Sequence, residues 1–109
     1  MRKLTVAAIG AVTLAACSEP RTEPLPPLES IEAATLAYAN CVNDSALKLA
    51  ARPQAVEVLA PQAVDGCREA RTEALNLKTV PVFFPTIAEF DSVHLGVARS
   101  AIEKTRTVK

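Results

Sequence analysis

Eight prolines decide where this 109-residue chain can form helix. Proline removes a backbone donor and clashes with the preceding turn, so helices run between prolines or start on them. Pro20, Pro24, Pro26 and Pro27 crowd one short stretch, which is expected to be extended, with polyproline II geometry. Pro53 ends or interrupts the run that follows, and Pro61 sets a second break. Pro81 and Pro85 bracket a short apolar segment. What lies between the breaks is rich in Ala and poor in Gly, with four aromatic residues (three Phe and one Tyr) and no Trp. Such a chain cannot fill a sandwich or barrel, and its fold class is expected to be all-α with a thin core.

The apolar spacing gives each run a face. Ser30 is the expected N-cap of a first helix over about residues 31–51. Ile31, Ala34, Tyr38, Cys41, Val42, Ser45 and Leu49 form its inner side. Leu36 and Leu47 project to the far side, which predicts a second covering neighbour. A short helix over 53–60 and a longer one over 61–77 follow, each started by a proline in the repeated Pro-Gln-Ala-Val. Ala60, Ala63, Val64, Cys67, Ala70, Ala74 and Leu75 share one side of the longer helix. Gly66 beside Cys67 suggests close backbone approach. Arg71 borders that face and suits pairing with an acidic residue. Residues 80–85 read as an extended connection laying Phe83 or Phe84 over the helices. A last helix runs from Thr86 or Ser92 to Thr105, with Ile87, Phe90, His94, Val97, Ala98 and Ala101 inward. The tail from Lys104 is expected to fray.

The first 16 residues have a different character. Arg2 and Lys3 precede thirteen uncharged residues, 4–16. As helix this run would span about 20 Å, short of a bilayer core of about 30 Å, so it reads as a secretory segment. It ends in Leu14-Ala15-Ala16-Cys17. The residues alone also fit an ordinary signal peptide with an incidental cysteine. The motif resembles the lipobox of bacterial lipoproteins. That resemblance implies cleavage before Cys17, a diacylglyceryl thioether on its sulfur, and an amide-linked fatty chain of the palmitate type. Two or three chains anchor stably where one does not. Ser18 in place of the family's retention aspartate implies the outer membrane, facing the periplasm. The domains then read as signal peptide 1–16, acylated Cys17 and Pro-rich tether 17–29, and helical domain 30–109.

Charge excludes some partners. The whole chain is neutral, with 12 basic and 12 acidic residues, and losing Arg2 and Lys3 leaves it slightly acidic. No basic stripe remains for nucleic acid or anionic lipid, so membrane attachment is expected through the lipid anchor alone.

With Cys17 given to lipid and the chain exported to an oxidising compartment, Cys41 and Cys67 are expected to pair as a disulfide between antiparallel helices. The fold is then a disulfide-stapled helical hairpin or three-helix bundle. Tyr38-x-x-Cys41 with Cys67 in the next long helix also resembles small secreted bacterial proteins whose Ala-rich helices share one disulfide. That likeness covers about residues 35–75 and implies a fold, not an activity.

The alternative is a metal or small-ligand carrier using Cys41, Cys67 and His94, which requires free thiols. No zinc-type or haem-type cysteine spacing accompanies it. Gly-rich phosphate loops and nucleophile elbows are missing from the sequence, and Glu89 and Asp91 diverge on a helix. Neither an enzyme nor a cofactor is expected. The reading is a lipid-anchored interaction or accessory module of the cell envelope, with an unidentified protein partner and a contact patch involving Phe83, Phe84 or the last helix.

Overall fold

The chain is described as a computed structural model over residues 25–107, so the expected secretory segment, Cys17 and most of the expected tether lie outside the described residues. The first helix, α1 (Leu28–Leu49), starts three residues before the expected Ile31. Ser30 does not cap it. The carbonyl of Pro27 accepts from the N–H groups of Ser30 at 2.9 Å and Ile31 at 3.2 Å, so a residue without a donor begins the helix at no loss. Glu29 in the first turn and Lys48 in the last complement the helix dipole.

Pro53 does not start a helix either. Helix α2 (Val56–Asp65) follows an extended Ala55, and Pro61 lies inside it rather than at a break. The bond that Pro61 cannot make would have gone to the carbonyl of Glu57. Both residues are exposed, so water can take that carbonyl and the helix continues.

The break falls at Gly66 and Cys67 instead. Cys67, with φ −114° and ψ 32°, leaves helical geometry and precedes α3 (Arg68–Asn76). Lys78 at φ 71° then reverses the chain into α4 (Thr79–Val82), a single turn containing an extended Val80. The expected extended connection is therefore partly helical, with the N–H groups of Phe83 and Phe84 both bonded to the carbonyl of Thr79. The last helix is α5 (Ile87–Thr107), and the hydroxyl of Thr86 caps it by accepting from the N–H of Glu89 at 3.1 Å.

These segments form three rods. Tyr38 of α1 meets Phe90 and His94 of α5, and Arg106 near the end of α5 reaches the carbonyl of Ala50, so α1 and α5 run parallel. The kinked α2–α3 rod runs against both: Glu57 meets Arg99, Arg71 meets Asp91, and Cys67 meets Cys41. The result is an all-α, up-down-up bundle stapled by a disulfide.

The core lies between the rods. Tyr38, Phe90, Ile31, Leu59, Ile102 and His94 supply its bulk, and buried alanines at 34, 46, 60, 63, 74 and 98 let the backbones close up. Two expectations about the core change, and a third, which left Phe83 and Phe84 open, is narrowed to one residue. Leu36 and Leu47 are 57% and 45% exposed, so among the described residues nothing covers the far side of α1. Ile87 is exposed and Ile102 takes the inward place near the other end of α5. Of the two adjacent phenylalanines, Phe84 packs on the core and Phe83 stays out.

Nor does the chain fray at Lys104. Arg106 donates to the carbonyls of Ala50 at 3.3 Å, Arg52 at 2.6 Å and Gln54 at 2.7 Å. One guanidinium thus caps the open end of α1 and holds the loop to α2, which keeps α5 helical to Thr107. No helix among the described residues is long and apolar enough to cross a membrane.

Candidate functional site

The residues with most chemistry gather at the α2–α3 corner. Cys41 lies three residues after Tyr38 on α1 and is half-buried. Cys67 sits at the corner itself and is buried. Their sulfurs are bonded, with 6.0 Å between the Cα atoms and a sequence separation of 26. The antiparallel run of α1 against the kinked rod creates this juxtaposition, as the sequence implied. Gly66 shows how close the two come. A Cβ there would lie 3.2 Å from the hydroxyl oxygen of Ser45, so only glycine fits without moving Ser45.

Two shallow hollows flank the corner. One of about 490 Å³ lies over the disulfide, beside Cys41, Cys67, Arg68 and Glu69. Its neighbour, about 320 Å³, is lined by Val64, Asp65, Arg68, Arg71 and Asp91. Arg71 is the residue expected to find an acidic partner, and it does. Its Nε and Nη2 each donate to a carboxylate oxygen of Asp91 at 2.9 Å. That bidentate bond, more than the charge alone, raises the pKa of Arg71. Both side chains are partly open to solvent, at 31% and 44%, so the pair adds under about 1 kcal/mol to stability. Glu89 takes no part in this pair and remains exposed.

Beneath lies an aromatic cluster. Tyr38 stacks on His94 with ring centroids 4.3 Å apart, and Phe90 and Phe84 complete the group at 4.6 and 5.7 Å from His94. The Nδ1–H of His94 donates to the carbonyl of Phe90 at 2.7 Å; that acceptor leaves no choice about where the ring proton sits. His94 is thus a hydrogen-bonded core histidine. Tyr38 is fully buried, and its hydroxyl has no hydrogen-bond partner. Burial is the main influence raising its pKa; Arg71 opposes that rise, and Asp91 and Asp65 add to it. The phenol end therefore lies within reach of the charges that line the smaller hollow.

The structure brings Cys41 and Cys67 together, but not His94 with them. Both sulfurs are taken up by each other. Among the described residues no group of three His, Cys, Asp or Glu side chains could hold a metal ion. Cys17 lies outside the described residues. Sequence reasoning missed two features: the orphaned hydroxyl of Tyr38 and the triple clamp of Arg106. A lone Tyr amid alanines was a weak pointer to the first. The second has no sequence signal, because its acceptors lie 52 to 56 positions away.

The structure defines a small all-α protein with one inter-helix disulfide and a charged, open corner. No protein-family model, curated protein or solved structure matches the chain.

Proposed function

We propose that this chain is a lipid-anchored module of the bacterial cell envelope. It would be held by acylated Cys17, no further from the membrane than its tether allows, and would serve as an interaction or accessory subunit for a protein partner facing the periplasm, without catalysis. The observation that carries the reading is the Cys41–Cys67 disulfide. It is independent of the first 20 residues and has the chemistry of an exported protein. The side chains around the corner favour contact over catalysis. Arg71 and Asp91 satisfy each other, both sulfurs are bonded, and the hollows are open, with charged side chains at their rims. Ser18 supports placement in the outer membrane.

The test is the intact mass of protein extracted from membranes, alkylated with and without prior reduction. The expected result is a chain starting at Cys17 with added acyl mass, in which Cys41 and Cys67 react only after reduction. An unprocessed or unacylated chain would overturn the anchor. Thiols that react without reductant would overturn the disulfide argument for export.

A further inference from the structure

The tether enters the bundle at the end formed by the starts of α1 and α5. Tyr38 is level with Phe90 and His94, and the hydroxyls of Thr35 and Thr79 meet at 2.6 Å, which sets α4 beside the first turns of α1. Leu28, Phe83 and Ile87 therefore share this end with Leu25, the first described residue. All four are strongly exposed, at 60%, 41%, 51% and 63% respectively. They make up half of the eight large hydrophobic residues exposed among the described residues. Scattered apolar residues on a surface need no explanation, but concentration at one end does.

We propose that this end of the bundle docks on the lipid surface beside the anchor, so that Leu25, Leu28, Phe83 and Ile87 touch the bilayer and the α2–α3 corner faces away from it. The proposal rests on the acylation of Cys17. Its further support is the length of chain between the anchor and the bundle. Seven residues lie between Cys17 and Leu25, and the eight steps of chain that join them span at most about 28 Å. Leu25 is thus held within that distance of the membrane and the end bearing the other three apolar side chains follows directly on it, whereas α1, at about 33 Å long, carries its other end much further off when the bundle stands upright. Tethering at so short a range gives a local concentration on the order of millimolar, at which a weak apolar contact is occupied.

Charge selects the kind of lipid surface. Glu29, Glu32 and Glu89 lie at this end with Lys78 as the basic residue among them. The contact is therefore made through apolar side chains and zwitterionic headgroups, not through attraction to anionic lipid.

The chain contains no Trp, so a single indole can report on the contact. The acylated mature protein carrying Phe83→Trp is reconstituted into phosphatidylcholine vesicles with brominated acyl chains, beside a control carrying Leu47→Trp. The expected result is at least twofold greater quenching by bromine at position 83 than at 47, with the reverse order for acrylamide in the water. Equal bromine quenching at both positions, with acyl mass present, overturns the docking while the anchor stands; it leaves this end for a protein partner. Absence of acyl mass overturns the anchor and the docking together. If Phe83→Trp fails to form the disulfide, Ile87→Trp reports from the same end with the same two outcomes.

Discussion

Replacing Tyr38 with Phe is expected to stabilise this protein. The substitution deletes a hydroxyl that is fully buried and lacks a hydrogen-bond partner, while the ring keeps its stack on His94 at 4.3 Å and its contact with Phe90 at 5.4 Å. A buried polar group without a partner costs about 1–3 kcal/mol in lost hydration. Removing one oxygen leaves a void smaller than a methyl group, and lost dispersion there offsets only part of the gain. The net expectation is about 1 kcal/mol of added stability, a rise in Tm of about 4–8 °C for a domain of this size. Thermal and urea unfolding followed by circular dichroism, with the disulfide intact, measures it. The pH dependence gives an independent reading. Burial raises the folded-state pKa of the phenol, against the pull of Arg71 and with help from Asp91 and Asp65. The folded state then holds its proton more tightly than the unfolded state, so this contribution is complete below the unfolded value of about 10 and is lost as pH rises through the folded one. The wild-type protein should weaken above pH 10 more steeply than Tyr38→Phe. A variant less stable than wild type by more than about 1 kcal/mol, with an unchanged alkaline slope, would refute the reasoning. Such a result would mean that the hydroxyl makes a favourable bond to the charged groups above it.

The double variant Cys41→Ser with Cys67→Ser opens a loop of 26 residues, which the chain-entropy relation values at about 3.5 kcal/mol. In a domain with about 5 kcal/mol in all, urea unfolding should show most of the stability gone; an unchanged midpoint would contradict the staple's role. Arg106→Gln removes charge-assisted bonds to the carbonyls of Ala50, Arg52 and Gln54 and should lower stability by about 1–2 kcal/mol. Amide exchange at residues 50–55 should quicken first. Arg106→Lys should recover little, because an ammonium lacks the fork that reaches several carbonyls; full recovery would refute the clamp.

Helix was legible wherever a residue's neighbours three and four positions away decided its environment. Ile31, Ala34, Tyr38 and Val42 repeat at that spacing and are all buried, as are Phe90, His94, Ala98 and Ala101. The helix boundaries were less legible. Ser30 has the chemistry of a cap and Pro61 that of a breaker. Yet the Pro27 carbonyl starts α1, and the exposure of Glu57 lets α2 pass through Pro61. At the corner, Gly66 signalled a close approach that the 3.2 Å to Ser45 bears out, while Arg71 signalled a partner without naming Asp91.

The sequence by itself determined that the described residues are helical, most of the faces that turn inward, and, on the proposal that Cys17 carries lipid, which cysteines pair. Those properties follow from local periodicity and from counting, and neither needs a third dimension. Tertiary structure alone decided that Phe84 rather than Phe83 enters the core, that nothing among the described residues covers Leu36 and Leu47, and that Tyr38 is sealed with its hydroxyl unpartnered. It also decided that Arg106 closes the end of a helix 56 positions earlier in the chain. Each of these depends on how three rods meet, and a hydrogen bond or a buried surface belongs to the pair of elements that make it rather than to either one's sequence.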